Sequence, residues 1–234
     1  MNEPNEARVR MSGGKEETAN GDAPDGKGAD ARVIELSAGR LDEAAAVLAR
    51  AFQDNPNFVD LFPDEKARSR ALPRLQRACL RDALGFGRVH AATLGNELVG
   101  VAAWLPPGAF PLPPRRQLRA LPDMAGVMAA APRSVPRLVR FTNGVVELHP
   151  EGPYWYLEVV GVDPGARGLG VGTRLLGPGL FLADEEGLPC YLETMTERNV
   201  AWYRSLGFDV DRAGVSFVPG GPPNWTMLRS PKRL

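Results

Sequence analysis

VDPGARGLGVGTRLL, residues 162–176, is the stretch whose reading decides the fold, and its centre is Arg167-Gly168-Leu169-Gly170-Val171-Gly172. Upstream, residues 154–162 (YWYLEVVGV) are aromatic and β-branched and predict a strand. Asp163-Pro164-Gly165 stops it, as proline and glycine do. Downstream, Val171, Leu175, Leu176, Gly179, Leu182 and Ala183 recur at helical spacing as far as Gly187. A strand, a glycine-rich turn and a helix, in that order, set several unhindered backbone N–H groups at the positive end of a helix dipole. A phosphate or pyrophosphate binds at such an end.

Two familiar glycine patterns do not fit. A Walker loop needs lysine and then Ser or Thr after its last glycine, and here Gly172 is followed by Thr173-Arg174. A dinucleotide fingerprint needs G-x-G-x-x-G, whereas the spacing over 168, 170 and 172 is G-x-G-x-G. The pattern that does fit is Arg/Gln-x-x-Gly-x-Gly/Ala behind a strand ending in V-x-P. Glycines in such a triplet also serve tight turns and close packing, so the hexapeptide alone leaves that alternative standing.

The length of 234 residues predicts one domain, or one with a large insertion. With 28 basic and 28 acidic side chains the formal charge is zero, which gives no reason to expect a nucleic-acid or membrane-surface partner. No apolar run is long enough for a membrane span, and the N-terminus lacks a signal-peptide core. Cys79 and Cys190 are too few for a disulfide scaffold, so a reducing compartment, by default the cytoplasm, is expected. His90 and His149 are the only histidines, so no Cys/His metal cluster and no metal cofactor are expected.

Residues 1–30 are polar and glycine-rich and predict a disordered tail, with the folded domain over 31–234. Within that domain the pattern predicts a short strand from Arg32, a helix over 41–53 ended by Asn55-Pro56-Asn57, and a helix over 64–84 kinked or split by Pro73. A hairpin follows, 88–94 and 97–105, about Gly95-Asn96. His90 in its first strand is expected to be structural. A proline-rich insertion over about 106–150 carries two helices, and its arginines (115, 116, 119, 133, 137 and 140) predict solvated faces or, alternatively, a cleft wall. Beyond residue 176, the expectation is a strand over 189–194, a helix over 197–206 closed by Gly207, and two final strands. The order is mixed α/β.

The run LETMTERNVAWYRSLGF (192–208), taken with the loop over 162–176, resembles the second half of a GNAT N-acetyltransferase. Residues 168–208, together with PPNWTM (222–227), are similar to the puromycin N-acetyltransferase group of antibiotic- and small-molecule-modifying enzymes. The resemblance covers residues 150–229. It implies the GNAT α/β fold: a mixed, mostly antiparallel sheet with a splayed central strand and flanking helices. It also implies acetyl transfer from acetyl-CoA, as co-substrate, directly to a small-molecule primary amine in a ternary complex, by a monomer or homodimer. A peptide or protein acetyltransferase, or a non-catalytic acyl-CoA-binding module, are the alternatives.

Carried over residue by residue, the resemblance implies that Val160, Gly161 and Val162 pair with the pantetheine arm, a main-chain N–H near Val160 facing the developing oxyanion. Arg167 and the amides of Gly168, Leu169, Gly170, Val171, Gly172 and Thr173 would hold the pyrophosphate. Asn199 would touch the cofactor or cap its helix. Tyr203 is the implied general acid, since a phenol of pKa ~10 keeps its proton at neutral pH and can give it to a thiolate of pKa ~8.5. Glu158 and Glu193 are the candidate bases, or anchors for the amine, or members of structural ion pairs.

Overall fold

The computed structural model describes residues 31–232; the expected N-terminal tail lies outside them. Seven strands form one sheet in the order β1-β2-β3-β4-β5-β7-β6. They are β1 (Arg32–Glu35), β2 (Arg88–Leu94), β3 (Glu97–Leu105), β4 (Trp155–Val162), β5 (Cys190–Thr194), β6 (Asp209–Val215) and β7 (Asn224–Arg229). Only β4 and β5 run parallel; every other pairing is antiparallel.

Among the described residues seven α-helices accompany them: α1 (Leu41–Ala51), α2 (Pro56–Leu61), α3 (Glu65–Phe86), α4 (Pro114–Ala130), α5 (Val135–Leu148), α6 (Val171–Glu185) and α7 (Glu197–Ser205). Two expectations need correction. Asn55-Pro56-Asn57 does not merely end α1: the Asn55 side chain accepts from the Asn57 N–H at 3.0 Å and Pro56 opens α2. Pro73 does not split α3, which continues through it with Ala71 and Leu72 buried on one side and Leu80 and Ala83 on the other.

Helices cover both faces of the sheet. Alternate residues of β3 make the division, with Val101, Ala103 and Leu105 facing α1 and α3 while Ala102 and Trp104 face α6. Leu48 of α1 and Leu80 of α3 are fully buried on the first face, each worth about 1.5–3 kcal/mol of apolar burial. Leu175 and Leu176 of α6 fill the second with Trp104. The insertion makes a third cluster, in which Val127 and Leu138 pack on Leu61, Phe62 and Leu72.

The insertion's arginines are not uniformly solvated. Arg116 is buried and bidentate on Asp82 of α3, and Arg137 grips Asp60 of α2 through two bonds of 2.7 and 2.6 Å. Arg115, Arg119, Arg133 and Arg140 are exposed.

Candidate active site

The site begins with an extra residue in β4. Ala103 pairs with Val159 and Trp104 with Leu157, so Glu158 has no opposite number: it is a β-bulge. The bulge resets the alternation, sending Val159 to the α1/α3 face and Leu157 and Val160 to the α6 face. On its other side β4 meets β5 for two pairs only, Trp155↔Cys190 and Tyr156↔Tyr191, and then the strands part.

The free edge of β4 can be assigned from one hydrogen bond. Asp163 N–H donates to the Val99 carbonyl at 2.8 Å. Backbone groups repeat every second residue in a strand, so Gly161 also turns toward β3, while Val160 and Val162 turn their N–H and C=O toward the gap. Gly161 serves packing instead: a Cβ there would sit 2.8 Å from Leu48 and 3.0 Å from Ala51 of α1.

The loop after β4 leads into α6. Gly168 (φ +81°) and Gly170 (φ +72°) are left-handed, with open space where a Cβ would stand. Leu169 and Val171 turn into the core and fix the loop between them. The N–H groups of Val171, Gly172 and Thr173 form the open first turn of α6, and Arg174 N–H is the first to pair within it, on Gly170 C=O at 3.2 Å. Arg167 bonds backbone rather than standing free, donating to Ala51 C=O at 2.8 Å and Val162 C=O at 3.4 Å. Thr173 accepts from Trp202 Nε1 at 3.2 Å, which ties α7 to this loop.

Where β4 and β5 part, a cavity of about 230 Å³ opens, and Glu158, Glu193, Tyr203, Val160 and Asn199 all line it. None of the described residues lining it is positively charged. The insertion supplies one wall through Leu138, Phe141 and Thr142 of α5, while none of its arginines lines the cavity. Asn199 does not cap α7; Thr196 does, accepting from the Asn199 N–H at 3.2 Å.

Burial dominates the Glu158 carboxyl and, with Asp82 nearby, pushes its pKa up to about 8 against the pull of the Cys79 thiol and Arg116. Its Oε2 is buried without a partner. Cys79 stays a thiol, raised well above the usual value by burial and by Glu158; burial likewise pushes Cys190 up to about 12. Tyr203 is buried, its ring tilted on Trp202 and edge-on to Phe208, and burial holds its phenol above the usual value. No group among the described residues bonds its hydroxyl, which faces the cavity with its proton in place.

Glu193 stands at the centre of an aromatic cluster that residue spacing does not reveal. Its Oε2 accepts from the Tyr156 hydroxyl at 3.0 Å, and its Oε1 lies 3.1 Å from His149 Nε2, close but not aligned as a hydrogen bond. His149 follows α5, stacks on Phe110 at 4.1 Å and meets Tyr156 edge-on. The signal available in the sequence was Tyr154-x-Tyr156-x-Glu158 beside Tyr191-x-Glu193, alternate residues on adjacent strands. His90 is buried outside the cavity, its Nδ1 unpartnered and its pKa lowered by burial. Among the described residues no group of three His, Cys, Asp or Glu could hold a metal ion, and no helix is long and apolar enough to cross a membrane.

Comparison with known proteins agrees with this architecture. Mycothiol acetyltransferase of Thermomonospora curvata is 36% identical over 121 residues, 50% of this chain and 38% of that protein. Mycothiol acetyltransferase of Propionibacterium freudenreichii is 34% identical over 103 residues, 43% and 33% of the two chains. The chain therefore spans well under half the length of the curated relatives it matches. The structure of a histone acetyltransferase HPA2 and related acetyltransferase from Corynebacterium glutamicum superposes with a TM-score of 0.64 at 25% identity, covering 88% of this chain and 98% of that one. Arylalkylamine N-acetyltransferase 2 of Aedes aegypti shares the fold, with a TM-score of 0.55 at 14% identity over 87% and 100%. The acetyltransferase (GNAT) family model matches residues 51–208, from the end of α1 past the bulge, the glycine loop and Tyr203 to Phe208; the chain belongs to that family.

Proposed function

We propose that this protein is an acetyl-CoA-dependent N-acetyltransferase that acetylates a primary amine of a small molecule, by direct transfer while both substrates are bound. The observation that carries this reading is the parting of β4 and β5 over a cavity onto which Glu158, Glu193 and Tyr203 all open. The freed groups of Val160 and the Val162 N–H suit the pantetheine arm, and the open first turn of α6, reached past two glycines, suits the pyrophosphate. Acetyl-CoA, when bound, supplies the thioester.

Each protein group then has one task. The Val160 N–H donates to the carbonyl oxygen as negative charge develops there. Tyr203 gives its proton to the departing sulfur. Glu158 holds a proton at neutral pH, so the ammonium proton is assigned to Glu193. The α5 wall narrows the cavity and favours a small acceptor over a peptide. The narrower likeness to the puromycin N-acetyltransferase group belongs to the same proposal and rests on residues 168–208.

Calorimetric titration with acetyl-CoA, paired with thiol release over a panel of primary amines, tests the reading. Binding and turnover of at least one small amine are expected. A folded protein that binds acetyl-CoA but releases thiol at the solvent rate with every amine would be a binding module instead.

A further inference from the structure

We propose that the acceptor is a primary amine carried on one compact apolar ring with at most a single neutral polar substituent, and that Gln76 of α3 reads that substituent. This rests on the N-acetyltransferase reading and narrows it to a chemical class that excludes aminosugars, amino acids and diamines.

The cavity has two unlike sides. The sheet and α7 bring Glu158, Val160, Glu193 and Tyr203, the groups that the reaction uses. The helices bring apolar surface: Phe58 and Leu61 from α2, Leu75 from α3, Leu138 and Phe141 from α5, with Phe52 at the end of α1. Phe52 and Phe58 stand with ring centroids 5.5 Å apart. No lining residue from α2, α3 or α5 is charged. A polyhydroxylated body would exchange water for phenyl and isobutyl groups there, and its unmatched hydroxyls would be costly. An acceptor carboxylate or phosphate would find no cation among the lining residues, and a second ammonium would find no carboxylate on the helical side. An apolar ring loses no hydrogen bond in that place and gains from burial.

The helical side is also pinned, so the limit on size is built in. Phe141 meets Phe217 edge-on at 5.1 Å, and a Cβ on Gly144 would sit 2.0 Å from the Phe217 carbonyl oxygen, so α5 lies directly on the connection between β6 and β7. Asn57 Nδ2 donates to Asn224 Oδ1 at 2.7 Å, both side chains buried, which fastens α2 to β7. A space of about 230 Å³ is smaller than the roughly 300–1,000 Å³ of sites for drug-sized ligands, and the acetyl group shares it.

Gln76 is the polar group left over. It is 3% exposed, lines the cavity, and no group among the described residues bonds its amide. Its polar neighbours on this side are committed elsewhere: Asn55 bonds Met195 and the Asn57 N–H, and Thr142 donates to the Leu138 carbonyl. A buried amide needs a partner, and a hydroxyl or carbonyl on the acceptor supplies one.

Calorimetry on the protein alone and with CoA, which lacks the acetyl group and so cannot turn over, reads acceptor binding by itself. The probes are phenethylamine, its three ring-hydroxylated isomers, glucosamine, putrescine and alanine. The ring amines should bind at least tenfold more tightly than the other three, and thiol release from acetyl-CoA should rank the amines in the same order by kcat/KM. Gln76→Leu should cost the best hydroxylated isomer at least fivefold relative to phenethylamine, with the melting temperature nearly unchanged because the amide loses no protein partner. Glucosamine, putrescine or alanine binding as well as the ring amines, or no ring amine binding, overturns the substrate class. An unchanged ratio in a folded Gln76→Leu protein overturns the role of Gln76. Ring amines that bind as ranked while acetyl-CoA yields no thiol with any of them refute acetyl transfer and leave the pocket assignment standing.

Discussion

Glu158 at the β4 bulge and Tyr203 of α7 open onto one cavity, and Glu158 Oε2 is buried there with no hydrogen-bond partner among the described residues. With a folded pKa of about 8, Glu158 keeps a proton that the unfolded chain loses near its ordinary value of 4.5. The native state therefore binds more protons between those two values, and this site's contribution to stability falls as pH rises from about 4.5 to about 8.

Glu158→Gln removes that liability. The variant should gain on wild type as pH rises, by something on the order of 1–3 kcal/mol at pH 8.5 and little at pH 5. The full linkage is discounted because the side chain opens onto the cavity. Melting curves at the two pH values read it; an equal difference at both would sink the argument.

At Gly170 the backbone is left-handed at φ +72°, and a Cβ would meet nothing within 4 Å. Gly170→Val should then cost only the backbone term, about 1–2 kcal/mol. Acetyl-CoA affinity should fall at least tenfold, because the new side chain stands in the phosphate approach. Unaltered affinity in a folded variant, measured by calorimetry, would remove the loop from the binding site.

Tyr203→Phe keeps the ring against Trp202 and Phe208 and deletes the one proton the side chain can donate. kcat should fall about 10²–10⁴-fold, and acetyl-CoA affinity should change far less. Since the hydroxyl has no protein partner, the melting temperature should barely move. Normal turnover by the folded variant would make Tyr203 a packing residue.

The Arg116–Asp82 pair is buried at both ends, 7% and 6% exposed, and fastens the insertion to α3. Arg116→Met strands Asp82 and should cost about 3–5 kcal/mol, while Arg116→Met with Asp82→Leu should recover most of it. Urea unfolding of both variants decides. A double variant no better than the single one would mean that the pair is not the fastening.

Much of this architecture is written in local signals. The hairpin over β2 and β3 stands at the residues its Gly95-Asn96 turn implies, because a two-residue turn fixes register. The glycine loop and α6 follow for the same reason. Some signals carry two meanings: Asn55-Pro56 is both a stop and a start, and α2 begins where the pattern reads only an end. Pro73 obeys its own propensity less than the packing of α3 between α1 and α4. Long-range pairs left no trace. Arg116 and Asp82 are 34 residues apart, and His149, at the end of α5, meets Glu193 of β5 from far along the chain. The bulge at Glu158 has no local signal of its own, because the run over 154–162 is apolar at nearly every position and its phase cannot be read.

The two-pair contact between β4 and β5 makes the sheet a pair of lobes, four strands and three, meeting along a hinge two residues deep. Hydrogen exchange should be fast at the Val160 amide in the empty protein, since that group faces no strand. A molecule lodged in the wedge would take the place of the missing rungs, so occupancy and rigidity rise together. Substrate is then a structural member of the sheet for as long as it stays.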